Sequence, residues 1–270
     1  MKTMRIIYKT IVLIIILGLM TACSSDDDDN GNGTVAGKRL AKLEIKTESW
    51  NQTMTYSYTS DGEISGIHLL DEGYRETYTE DISFIISESV VSWNYKSSDG
   101  DRYGYRATME NGKVRSMTLD DCIFRYDGSG KLIEVECRGW DCFFELIWKN
   151  GNITRLDRVD YKGDLEARID YTYTNYEAGM LAYEWGFNPL SENDFLDCVY
   201  ERALFYTGSC GALSKDLPAT ATFYDGDGEN RGTRKYEYKT SAGRVTSVVL
   251  GGNHDDDSYS YPLAMTFTWE

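Results

Sequence analysis

IFRYDGSGKLIEV, residues 123–135, decides the fold. Asp-Gly pairs tolerate positive φ and are strong hairpin signals when alternating apolar residues flank them. With the turn over Asp127–Gly130, Tyr126 opposes Lys131, Phe124 faces Ile133 and Cys122 faces Val135. Extending through a second turn at Arg138–Asp141, Cys137 opposes Cys142, Val135 opposes Phe144 and Ile133 opposes Leu146. Side chains alternate with period two. One face is therefore apolar, carrying Cys122, Phe124, Tyr126, Ile133, Val135, Cys137, Cys142, Phe144, Leu146 and Trp148. The other carries Arg125, Glu134, Glu136, Glu145 and Lys149. Past Asn150-Gly151, Trp148 meets Ile153 but Leu146 would meet Arg155, which calls for a bulge.

Working outward, the same grammar recurs. TYSYTSDGEISGI (55–67), LIWKNGNITRL (146–156) and YEYKTSAGRVTSVV (236–249) each read as aromatic-x-aromatic, turn, Gly-x-aliphatic. Further Asp-Gly or Asn-Gly pairs fall at 99–100, 111–112 and 225–228. Each unit is one hairpin. The spacing is too uneven for a solenoid, although the units resemble the YD repeats of bacterial surface and toxin-shell proteins. With 25 glycines, 21 tyrosines and only 3 prolines, the composition favours many strands joined by tight turns.

One segment departs from this pattern. NPLSENDFLDCVYERALFYTGSC (188–210) offers Ser191 as an N-cap and Gly208 as a stop. Phe195, Cys198, Val199, Arg202 and Tyr206 recur at helical spacing, so an amphipathic helix is expected over about 192–206. A curled sheet with one apolar face needs something to fill it. The helix is expected to pack over or into the open side through Phe195, Val199 and Tyr206, with Cys198 close to Cys210, leaving no deep pocket.

The first thirty residues give an address. Lys2, Arg5 and Lys9 precede an apolar run, Ile11–Met20, too short to span a bilayer. Thr21-Ala22-Cys23 follows and resembles a lipobox, the bacterial signal in which cleavage precedes a cysteine that is then acylated. Ser24, Ser25, Asp26, Asp27, Asp28 and Asp29 resemble the acidic export mark of Bacteroidetes surface lipoproteins; physically they are a solvated spacer. The expected organisation is a signal peptide at 1–22, a tether at 23–38 and a single β domain at 39–270 with a helical insert at about 188–210. The lipidated start, the aromatic-turn-Gly hairpins, GSCGALSKDLPAT (208–220) and the closing MTFTWE together resemble a Bacteroidetes lipoprotein family of unknown function with a porin-like fold. That resemblance implies an all-β chain, a long antiparallel β-meander curled into a barrel or half-barrel with one inserted helix. It carries no activity with it.

Charge and chemistry narrow the function. After removal of residues 1–22, 25 basic residues face 44 acidic ones, a net charge of −19. Nucleic acid and anionic lipid surfaces are repelled, so the membrane is reached only through a lipid on Cys23. The two histidines, His68 and His254, are far apart, and no Gly-x-Ser-x-Gly or His-Glu-x-x-His pattern occurs. Asp225, Asp227 and Glu229 begin a calcium-like loop, but Tyr236 stands where the bidentate glutamate belongs. No metal and no cofactor are expected, and the catalytic set is empty. Cys137 with Cys142 and Cys198 with Cys210 are the candidate disulfides, leaving Cys122 as a free buried thiol. Trp140 and Trp185 are candidate ligand aromatics for a glycan, against the commoner reading that rings fill sheet faces. The chain is expected to be a non-enzymatic binding or structural module anchored at the outer membrane and facing outward. The alternative is a hydrolase or accessory protein acting on extracellular polysaccharide.

Overall fold

Five hairpins turn on one five-residue device. Thr59, Ser97, Asp127, Asp160 and Asp225 each donate their backbone N–H to the carbonyl four residues on. The oxygen of each side chain accepts the N–H of that same residue: Glu63, Asp101, Lys131, Asp164 and Glu229. The fourth position must adopt positive φ, and it is glycine every time: Gly62, Gly100, Gly130, Gly163 and Gly228. Three further hairpins use two-residue turns with both central residues at positive φ, Asn111-Gly112, Asn150-Gly151 and Ala242-Gly243.

The computed structural model describes residues 39–47, 50–73, 77–184, 187–191, 199–211, 213–252 and 263–270. These residues form sixteen strands. They run β1 (Leu40–Lys46), β2 (Asn51–Tyr58), β3 (Ile64–Glu72), β4 (Thr77–Ile86), β5 (Val90–Ser97), β6 (Arg102–Glu110), β7 (Lys113–Met117) and β8 (Cys122–Tyr126). Then come β9 (Leu132–Cys137), β10 (Cys142–Lys149), β11 (Asn152–Asp160), β12 (Leu165–Glu177), β13 (Asp216–Asp225), β14 (Asn230–Ser241), β15 (Arg244–Gly252) and β16 (Leu263–Trp269). Each strand pairs antiparallel with its neighbours in sequence, and β1 pairs with β16, so the meander closes into a barrel. Arg39 and Glu270 exchange backbone hydrogen bonds of 3.0 and 2.9 Å beside that seam.

Between β12 and β13 the described residues 178–184, 187–191, 199–211 and 213–215 lie off the sheet. The one described α-helix is α1 (Val199–Tyr206), which ends where the sequence expects, with Gly208 at φ +72°. Phe205 packs against Phe124 of β8, and Phe187 against Tyr236 of β14 and Phe267 of β16. Val114 of β7 donates to the carbonyl of Ser209, and Ile153 of β11 donates to Ser214 Oγ. One segment can touch strands all around a closed sheet only from within it. The insert therefore fills the lumen, where Leu181, Leu190, Ala203, Leu204 and Cys210 are buried. Phe195 and Cys198 lie outside the described residues.

The outward face is polar. It shows Lys42, Glu44, Thr55, Asp81, Lys96, Arg106, Glu134, Thr172, Lys235 and Thr266, with hydroxyl pairs such as Thr172–Thr220 at 2.6 Å. Exposed aliphatics on it are scattered, Ile85, Ile133 and Ile147 among them. A transmembrane barrel presents the opposite arrangement, an apolar band outside and polar residues within.

Two sequence expectations need correction. The turn after Tyr126 occupies Asp127–Lys131, and a bulge at Arg125/Tyr126 follows from the extra residue. Phe124 therefore opposes Val135 rather than Ile133, and Ile133 points outward, 38% exposed. The same shift sets Cys122 opposite Cys137, with their Sγ atoms 2.7 Å apart. Cys122 is thus buried, as expected, but is Cys137's nearest sulfur neighbour rather than a bystander. The register of β9 with β10, the Trp148–Ile153 pair and the bulge beside it fall where the sequence puts them.

Candidate functional site

The lumen holds a polar centre without access to water. Glu184 is 0% exposed and accepts hydrogen bonds from Tyr56, on β2, and from Tyr206, on α1, the latter at 2.8 Å. Arg202, also buried, lies one helical turn before Tyr206. Burial raises the Glu184 carboxyl to about 7, against the opposing pull of both tyrosine hydroxyls and Arg202. Burial also raises Glu80, which accepts from Tyr95 Oη at 3.1 Å. The bonds of Glu184 to Tyr56 and Tyr206 fasten the insert to the wall, and that carboxyl, sealed inside a filled barrel, meets no substrate.

The site open to ligands is on the outside. Strand register aligns Ser57, Gly66, Ser83, Asn94 and Gly104 in one row across β2–β6. The adjacent row, two residues along each strand, is Thr55, His68, Asp81, Lys96 and Arg102. The first row is low and small, the second tall and charged, so the sheet is hollowed into a trough of about 750 Å³. Gly66 helps keep the floor low: a Cβ there would lie 3.0 Å from the carbonyl of Ile82. Five strands at about 4.8 Å spacing make the row roughly 19 Å long.

In the trough, His68 Nδ1 lies 2.8 Å from Asp81 Oδ1. Such a dyad orients an imidazole for base catalysis when a nucleophile and an oxyanion hole are present. Among the described residues no hydroxyl bonds the other ring nitrogen, and the N–H groups of this sheet are engaged in its ladders. A glycosidase would need two carboxyls across the scissile bond. The one lining carboxylate is Asp81.

The residues singled out from sequence are not gathered here. Trp140 is partly buried, with the Arg158 guanidinium 5.6 Å from its ring centre, and it lies away from the trough. Trp185, Cys198, Cys23, Ser24, Ser25 and Asp26–Asp29 lie outside the described residues. Cys137 and Cys142 sit in the core beneath the outer face, and Cys210 is buried in the insert; no disulfide joins the described cysteines. Asp225 caps its own turn and pairs with Arg231 Nε at 2.8 Å, so the acidic hairpin tip is a turn device. The trough residues escaped the sequence reading. Glycine inside a strand often marks close approach of a ligand or another backbone, and Gly66 and Gly104 carried that signal.

No family profile matches the chain, and no curated protein matches it. Among solved structures it is similar to a porin-like protein from Bacteroides uniformis, with a TM-score of 0.63, 17% identity, and coverage of 87% of this chain and 99% of that one. A porin-like protein from Bacteroides vulgatus aligns with 86% of this chain and 99% of its own, at 10% identity and a TM-score of 0.37. The first likeness is one of fold: the closed antiparallel barrel is shared.

Proposed function

We propose that this chain is a non-enzymatic binding module of the bacterial outer membrane, tethered through a lipid on Cys23 and exposed to water, and that it binds on the outside of its barrel. The observation that carries this reading is the inversion of the barrel: polar outside, filled with apolar side chains and an inserted segment inside. Such a wall has no band to match a hydrocarbon core and no lumen to conduct. The leader, the lipobox-like Thr21-Ala22-Cys23 and the acid run at 26–29 support lipidation and export to the outer leaflet. A polysaccharide hydrolase is the second reading, favoured by the His68–Asp81 dyad and opposed by the single carboxylate in the trough.

The test is membrane partition in the cell and conductance in vitro. The full chain with Cys23→Ala should leave the membrane fraction, and the wild-type protein should give no channel steps in a planar bilayer. Retention of Cys23→Ala in the membrane, or defined conductance steps, would overturn the reading. Turnover of a polysaccharide that disappears in His68→Ala would favour the hydrolase instead.

A further inference from the structure

We propose that the trough on β2–β6 takes an oligosaccharide bearing carboxylate groups, with a carboxylate held between Lys96 and Arg102. This deepens the reading of the chain as a binding module and rests on it.

Charge pairing points to the ligand. The protein is strongly acidic, and several arginines elsewhere on the barrel sit against carboxylates. Arg155 and Arg168 lie 3.1 and 2.8 Å from Asp157, Arg231 pairs with Asp225, and Arg125 is bracketed by Glu134 and Glu136. Lys96 and Arg102 form no ion pair among the described residues. They are instead directly opposed across β5 and β6. Like charges at opposed positions destabilise a sheet. Asp81, on the other side of Lys96, is taken up by His68. Where carboxylates oppose one another elsewhere, as Glu145 does Glu134 and Asp157, arginines pair with those partners; a like-charge pair left without such a counter-ion marks a place kept for something other than stability. An anion between the two cations removes the conflict, and the Arg102 fork matches a carboxylate in geometry.

The rest of the trough describes what the anion is attached to. Beyond Lys96 and Arg102 the floor turns neutral, with the hydroxyls of Ser57 and Ser83, the amide of Asn94, and two glycines. Such a floor offers hydrogen bonds along an extended path, and with Ile67, Ile82 and Tyr103 also among its lining residues it suits a ligand that presents both hydroxyls and C–H faces, as a sugar chain does. The overall negative charge does not forbid an anionic ligand, because at 0.15 M salt fields are screened beyond about 8 Å while contacts inside the trough are not.

Titration calorimetry of the mature lipoprotein in detergent at 0.15 M salt, with oligogalacturonate and with the matching neutral oligogalactoside, decides the matter. The acidic oligomer should bind at least about tenfold more tightly, since a hydrogen bond to a charged group is worth about that factor. Arg102→Gln and Lys96→Gln should each lose that preference. Both should unfold at the same temperature as wild type or higher, because each relieves a like-charge pair. Gly104→Trp, which fills the floor, should abolish binding of either oligomer. Equal affinity for the neutral oligomer, unchanged by Arg102→Gln, would overturn the proposal and leave the binding module standing. Binding of neither oligomer would overturn the proposal alone, because the tethered, water-facing reading is judged separately by Cys23→Ala and conductance.

Discussion

Replacing Glu184 with glutamine should remove most of the pH dependence of this protein's stability between pH 4.5 and 7. The buried carboxyl titrates at about 7 in the folded barrel and near 4.5 in the unfolded chain, chiefly because burial disfavours its charged form. Between those values the folded protein holds a proton that the unfolded chain has released. Stability is then complete below pH 4.5, falls as pH climbs, and levels off above 7. At 1.36 kcal/mol per pH unit the loss is about 3 kcal/mol. For a barrel of this size that corresponds to roughly 6–12 °C in melting temperature. Glu80, raised by burial in the same direction, adds a smaller fall in the same window. The carboxyls of Asp127, Asp160 and Asp225 act in the opposite sense. Backbone N–H donors hold them below the ordinary range, so their contribution is lost only as pH drops below about 4. Calorimetric melts from pH 4.5 to 8 should show the fall in wild type and a nearly flat profile in Glu184→Gln. The residual slope should vanish when Glu80→Gln is added. Equal slopes in wild type and Glu184→Gln would show that Glu184 keeps its charge inside the barrel, with Arg202 outweighing burial.

Other substitutions probe the insert, the thiols and the turns. Phe205→Ala should cost about 3–5 kcal/mol, because a fully buried ring facing Phe124 is deleted inside a lumen that cannot collapse; chemical denaturation reads the loss. Refolding with a disulfide oxidant should link Cys122 to Cys137, seen by non-reducing peptide mapping, and the 15-residue span should add about 3 kcal/mol; a map in which Cys122 stays free or is linked to a cysteine other than Cys137 would refute this pairing. Gly130→Ala should cost about 1–2 kcal/mol, since φ +86° is unfavourable for alanine and its Cβ would displace the Lys113 ammonium from the Gly130 carbonyl.

The fold was largely legible because its signals are local. Period-two alternation marked inward residues from Phe124 to Trp148, and Asp-Gly and Asn-Gly marked the hairpins. The one misplaced side chain, Ile133, was lost to a single extra turn residue, which flips a strand's face and is invisible to a hydrophobic count. The trough was harder to see. Its residues come from five strands, and each is an unremarkable Ser, Gly, Asn or Lys until register sets them side by side. Trp140 shows what sequence leaves out: its place in a short turn between strands gives no hint that Arg158 from β11, remote in sequence, lies over its ring.

The seam between β1 and β16 bears on how the chain is made. Its partners, such as Leu43 and Phe267, lie at opposite ends of the domain. No other pairing in the wall spans such a distance, so the last ladder to form carries the largest loop-closure cost. Until Trp269 arrives, both terminal strands expose unpaired edges, which invite pairing with other chains. Closure of the barrel must therefore wait for the whole domain to be present. A chain stalled even seven residues short would be an open sheet seeking a partner, since β16 is what covers both terminal edges.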